Sequence, residues 1–142
     1  MPTSLLMRLS DDLLMSLKLL SLAYVSSATR PFTVDELNSL LVYARDRNRE
    51  DGISGVLLYS DGNFMQVLEG PPDVVQSTYQ RVCSSNHHAG IIELYREEID
   101  ERDFPDWSMG FRQLDPASYA PLRERLAAGI SPAHTVLRSF LQ

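Results

Sequence analysis

Residues 48–70, NREDGISGVLLYSDGNFMQVLEG, decide how this chain folds, because two apolar runs flank a turn and the second run carries an amide at its centre. Residues 53–59 are β-branched and aliphatic, Ser60-Asp61-Gly62-Asn63 is a turn cluster, and residues 64–68 resume the apolar run, which is the pattern of a β-hairpin. Gly55 leaves room for a neighbouring backbone to approach. With a period of two, Phe64, Gln66 and Leu68 share one face, and Met65 and Val67 take the other. Gln66 is therefore set among core residues, where an unpartnered carboxamide costs on the order of 2–7 kcal/mol. The fold must bring something polar to meet it.

Working outward, residues 17–25 are rich in Leu and suit a central strand covered on at least one face. Pro31 breaks the chain. Thr33-Val34-Asp35-Glu36 then forms a capping box, and Leu37, Leu40, Leu41 and Ala44 follow at helical spacing until residues 48–52, where Gly52 ends the helix. Beyond the hairpin, Pro71-Pro72-Asp73 opens a second helix with Val75, Tyr79, Val82 and Cys83 as its buried stripe. Residues 91–99 read as a fourth strand and, after a turn at Phe104-Pro105-Asp106, residues 108–113 as a fifth. The order β-α-β-β-α-β predicts an α+β, ferredoxin-like fold: an antiparallel sheet with a fifth strand and two helices on one face. A right-handed crossover leaves a gap between strands one and two. The third strand returns into that gap, which makes strands one and three antiparallel neighbours and carries Tyr24 toward Gln66.

Residues 114–142 form a C-terminal helical pair. Leu122, Leu126 and Ala127 oppose Arg123, Glu124 and Arg125, and Gly129 and Pro132 interrupt before residues 136–141. This pair is expected to cap the sheet face bearing Met65 and Val67 and to contribute to self-association into a homo-oligomer. Residues 1–16 are an N-terminal extension to which no function is assigned.

At 142 residues the chain is one domain by length, and its net charge of −6 argues against a nucleic-acid groove, which needs clustered Lys and Arg. The acidic run EEIDERD at 97–103 reads as a solvated turn. The single Cys83 has no partner for an intrachain disulfide, which fits a reducing cytoplasm, and it reads as a small buried hydrophobe. No stretch has the ~20 apolar residues of a membrane span and no signal peptide is visible, so a soluble cytoplasmic protein is expected. His87 and His88 are adjacent and point apart, with no ligand-spaced Cys or carboxylate, so no metal is expected.

Tyr24 in LSLAYVSSA, Asn48 in RDRNREDGISGVLLYSDG, Gln66 in FMQVLEG, and Trp107 with Met109 in FPDWSMGF occur in that order. Together they resemble the BLUF domain, a small flavin-binding blue-light sensor. The resemblance covers roughly residues 17 to 112, and the domain is drawn here as 17–113. It implies a flavin between the two helices: FAD, with FMN or riboflavin fitting the same ring contacts. Asn48 would hold the carbonyl and ring-nitrogen edge, Gln66 would bridge flavin and Tyr24, Arg47 would stack on the ring or reach its side chain, and His88 would pack nearby. Ile53, Phe64 and Leu68 would serve as walls. His87 stands where an Arg often contacts phosphate, a departure that weakens that contact.

The implied role is photochemical and not enzymatic. Tyr24 would donate an electron and a proton through Gln66, leaving Gln66 rotated or tautomerised and the flavin spectrum shifted to the red. Trp107 and Met109, sharing a face of the last strand, would pass the signal toward the C-terminal helices. With no output domain in view, the receiver would be a separate, unidentified signalling protein. Two rival readings use the same fold. One is an acylphosphatase-type hydrolase, disfavoured because the loop VSSATRPF has no Gly with which to cradle phosphate; the other is a non-photoactive oligomerisation module.

Overall fold

In the computed structural model, which describes residues 18–128, the hairpin consists of β2 (Ser54–Ser60) and β3 (Asn63–Gly70). Asp61 and Gly62 both have positive φ, 46° and 82°, the backbone of a two-residue turn whose twist matches its flanking strands. β3 lies between β2 and β1 (Leu19–Ala28), with Tyr24 directly opposite Gln66. β4 (His88–Ile99) pairs with the free edge of β1, and β5 (Gly110–Gln113) with that of β2, giving the order β4-β1-β3-β2-β5. The gap left by the crossover is filled as the topology requires.

The four strands of the β-α-β-β-α-β unit pair antiparallel as expected, and β5, whose direction the sequence pattern leaves open, runs parallel to β2. Residues 100–109 carry the chain from one edge of the sheet to the other, so β5 restarts in the direction of β2. It also starts two residues later than the sequence pattern indicated. The carbonyls of Trp107, Ser108 and Met109 are bonded to Gly55 N–H, Asn48 Nδ2 and Arg45 Nε, and the parallel register with β2 begins at Gly110.

α1 (Val34–Asp51) begins with the reciprocal bonds of a capping box, Glu36 N–H to Thr33 Oγ1 and Thr33 N–H to Glu36 Oε1, both 3.1 Å, and closes at Gly52. α1 and α2 (Pro72–Cys83) cover one face of the sheet, where Leu37, Leu41 and Val75 pack with Leu22, Phe64 and Leu68. Cys83 is exposed, contrary to its reading as a buried hydrophobe. The stripe of α2 runs through Val75, Thr78 and Val82, and Cys83 falls on its flank in the last turn. On the opposite face α3 (Pro116–Ala128) sets Tyr119, Leu122 and Leu126 against Val56, Leu58, Met65 and Val67. Tyr119, whose hydroxyl donates to the Phe64 carbonyl at 3.0 Å, takes the inward place expected of Ala127, which is exposed. The second helix of the expected C-terminal pair and the N-terminal extension lie outside the described residues.

A fully buried carboxylate ties the β4–β5 connection to the hairpin. Glu69 accepts from Asp103 N–H at 2.8 Å, Phe104 N–H at 2.6 Å and Ser54 Oγ at 2.9 Å. Arg102 reaches Ser54 Oγ (2.8 Å) and the carbonyls of Glu69 (3.2 Å) and Gly52 (2.6 Å). A buried charge is tolerated only when hydrogen-bonded in this way.

At Gly55, where φ is +155°, an added Cβ would overlap the Val67 carbonyl oxygen and lie 2.9 Å from its carbon. That clash is backbone against side chain within a paired ladder, so no rotamer relieves it. We expect Gly55→Ala to cost about 3 kcal/mol in urea unfolding; a loss below about 1 kcal/mol would show that β2 and β3 can part locally without consequence.

Candidate functional site

The β1–β3 register brings Tyr24 and Gln66 together under α1 and α2, at 3% and 8% exposure. The Tyr24 hydroxyl donates to Gln66 Oε1, and Gln66 Nε2 donates to Met109 Sδ at 3.5 Å. Burial pushes the Tyr24 phenol far above the ordinary tyrosine range, with Cys83 and Tyr79 adding to the effect. The phenol is therefore a neutral donor at any ordinary pH. As a donor it draws the amide oxygen toward itself, which leaves the NH2 group with a thioether, a weak acceptor.

Over this pair opens a cavity of about 440 Å³ between the two helices. Leu40, Tyr43, Ala44, Arg47 and Asn48 line it from α1, and Leu57, Phe64 and Gln66 from the sheet. Thr78, Arg81, Val82, Ser85, His87 and His88 line the α2 side, and Phe32 completes the wall. Six of the residues expected at the site, Tyr24, Arg47, Asn48, Phe64, Gln66 and His88, are thus brought together. Ile53 and Leu68 are not on the lining; both are buried in the apolar layer beneath it. Leu40, Ala44 and Val82 were legible only as inward helix positions, since nothing in a stripe separates a residue touching the sheet from one facing a gap.

Asn48, 3% exposed, does not cap its helix with its side chain. Gly52 closes α1, and Asn48 Nδ2 instead crosses to the Ser108 carbonyl at 2.7 Å. Trp107 and Met109 do not share a strand face, as expected from alternation, because both precede β5. Met109 is 2% exposed beside Gln66, whereas Trp107 is 39% exposed and stacks on Phe104, with centroids 5.6 Å apart and planes 16° apart. At the cavity mouth Asp51 pairs with both Arg47 (3.3 Å) and Arg81 (3.5 Å). A second cleft of about 630 Å³ shares Arg47, Thr78 and Arg81 with the cavity. Among the described residues no three His, Cys, Asp or Glu side chains converge as metal ligands.

His88 sits between Ser26 Oγ, 2.7 Å from Nδ1, and the Val82 carbonyl, 2.9 Å from Nε2. A carbonyl only accepts, so the neutral ring carries its proton on Nε2 and takes the Ser26 hydroxyl at Nδ1. Desolvation lowers its pKa, opposed by the Val82 bond and assisted by His87. The unfolded chain then binds a proton, near pH 6.5, before the folded one does, so stability falls as pH drops through that value. We expect melting temperature to decline between pH 7.5 and 5.5, and His88→Gln to flatten that decline; equal slopes would remove His88 as its source.

A model of the BLUF family, described as sensors of blue light using FAD, matches residues 19–110. The chain is 31% identical over 125 residues to the photoactivated adenylate cyclase subunit beta-like protein FB of Euglena gracilis, spanning 87% of this chain and 14% of that relative. The chain thus spans only a small part of such relatives. Among solved structures it superposes on BlrB, a BLUF protein in its dark state, with TM-score 0.71, 29% identity, and coverage of 87% of this chain and 98% of that one. It also superposes on BlsA in its photo-activated state, with TM-score 0.69, 29% identity, and coverage of 87% and 91%. A match over that span, on a fold that sets Tyr24 against Gln66 beside a helix-walled cavity, places this chain in the BLUF family of blue-light sensors.

Proposed function

We propose that residues 17–113 sense blue light through a flavin held in the cavity above Tyr24 and Gln66, and that residues 114–142 cap the far face of the sheet. The observation that carries this reading is the half-satisfied Gln66 amide. Its oxygen is taken by Tyr24, its NH2 group meets only a thioether among the described residues, and it borders a cavity of the size that small-molecule sites have. A planar ring with one carbonyl-bearing edge fits these residues: apolar walls at Leu40, Leu57 and Val82, with Asn48 and Gln66 as amides at one end. No polar partner for Asn48 Oδ1 occurs among the described residues, which leaves an acceptor for a ring N–H. We read the cofactor as FAD, with Arg47 and Arg81 at the mouth as phosphate partners. Analysis of the cofactor released from purified protein tests that choice against FMN and riboflavin.

When bound, the flavin supplies absorption of blue light and an electron acceptor. The protein's part is a switch in donor and acceptor order. With Gln66 in the orientation described, Tyr24 donates to Oε1. Rotation of the amide turns Nε2 toward Tyr24, whose own proton then lacks an acceptor among the described residues, at a cost of about 1–3 kcal/mol. That favours the resting orientation by roughly 5- to 150-fold, enough for a spontaneous return in the dark. The loop after β1 supports this reading over a phosphate-binding hydrolase: Ala28 N–H is committed to Gly62 O (2.7 Å) and Thr29 N–H to His87 O (3.1 Å), so they are not free to cradle an anion. The receiver of the signal is proposed to be an effector protein.

Purified protein supplied with flavin should show a reversible red shift on blue illumination, without bleaching. Tyr24→Phe and Gln66→Leu should each keep flavin, lose about 1–2 kcal/mol of stability and abolish the shifted state. A normal photocycle in either variant would overturn the roles given to these two side chains.

A further inference from the structure

Three successive carbonyls ahead of β5 are each held by a different donor. Trp107 O accepts from Gly55 N–H at 3.0 Å, Ser108 O from Asn48 Nδ2 at 2.7 Å, and Met109 O from Arg45 Nε at 2.9 Å. Arg45 and Asn48 stand three residues apart on α1 and so work from one helix face. Among the arginines of α1, Arg47 pairs with Asp51 and Arg49 with Asp46. Arg45 makes no ion pair among the described residues and commits its guanidinium to a backbone carbonyl. Met109 is consequently pinned at both ends, its carbonyl by Arg45 and its thioether by the Gln66 amide.

We infer that Arg45 is a positioning residue for the light response: by fixing the backbone of Met109 it keeps the thioether against Gln66 and sets how fast the rotated amide returns. This rests on the sensor reading given above. A rotated Gln66 turns its oxygen toward the Met109 sulfur, so two acceptors face each other and the methionine must move to relieve them. A charge-assisted bond to the Met109 carbonyl resists that movement. With the donor removed, Met109 yields more easily, the rotated amide is less disfavoured, and the shifted state lasts longer.

The test uses the full chain with Arg45→Met, which keeps an unbranched stem without the donor, Arg45→Lys, which retains a donor, and Arg49→Met as a control one turn along the helix. Trp107 is the chain's only tryptophan, so acrylamide quenching of its fluorescence in the dark reports on this segment alone. Recovery after illumination reports on Gln66. Arg45→Met should raise Trp107 quenching and slow recovery by about threefold or more, Arg45→Lys should fall between it and the parent, and Arg49→Met should match the parent. Unchanged quenching and recovery in Arg45→Met would overturn the proposal, as would a change in one without the other. If the parent shows no light response, the sensor reading fails and takes the photochemical role with it, while Trp107 quenching still decides whether Arg45 holds the segment.

Discussion

The arrangement of this molecule turns on one buried amide. Gln66 lies at the centre of the central strand, and its burial is tolerable only because β1 pairs beside β3 in a register that delivers the Tyr24 hydroxyl to its oxygen. A phenol kept protonated by its surroundings always has a proton to donate, which favours the amide oxygen over the NH2 group as its partner. The NH2 end is then turned toward Met109 and the cavity, where a thioether satisfies it poorly. A well-paired amide would specify a core and nothing more. An amide secured at one end only has a second orientation within a few kcal/mol, which is what a two-state switch requires.

Segment 102–109 joins the surroundings of Gln66 to both faces of the sheet. At its start Glu69 and Arg102 bind it to the hairpin, and at its end Gly55, Asn48 and Arg45 hold its carbonyls. Between these anchors the side chains go to opposite sides of the sheet. Met109 enters the layer under α1 and α2, whereas Phe104 belongs to the core beneath α3, with Trp107 stacked on it. A displacement of Met109 therefore bears on residues that pack against Tyr119, Leu122 and Leu126. This segment is the route we propose from the amide to α3.

Much of this was legible from period and punctuation. The alternation around Gln66, the Asp61-Gly62 turn, the Thr33/Glu36 box and the crossover topology each depend on local chemistry that one sequence displays. The Tyr24–Gln66 pairing followed from strand order. What escaped depends on groups far apart in the chain. The parallel pairing of β5 is set by where residues 100–109 cross, and its late start goes with carbonyls bonded to Gly55, Asn48 and Arg45. The same cause put Trp107 and Met109 on opposite sides, because alternation holds only within a strand. Cys83 was misread because a helical stripe tells little about its flank in the last turn. Nothing in the sequence marks Glu69; only the fold shows that two backbone amides, from residues 103 and 104, arrive on it. Nothing in the sequence separates Arg45 from Arg47 or Arg49; only the fold carries its guanidinium to the Met109 carbonyl.

The central claim is that the Gln66 side chain exchanges its donor and acceptor ends between two states. Light-minus-dark infrared difference spectroscopy on flavin-loaded protein, with glutamine isotopically labelled at the side-chain carbonyl, tests it most directly. The account predicts a label-sensitive amide carbonyl band that moves on illumination, returns in the dark, and is missing in Gln66→Leu. A red-shifted flavin with no label-sensitive band in the difference spectrum would contradict it, since the spectral change would then arise without any change in the amide.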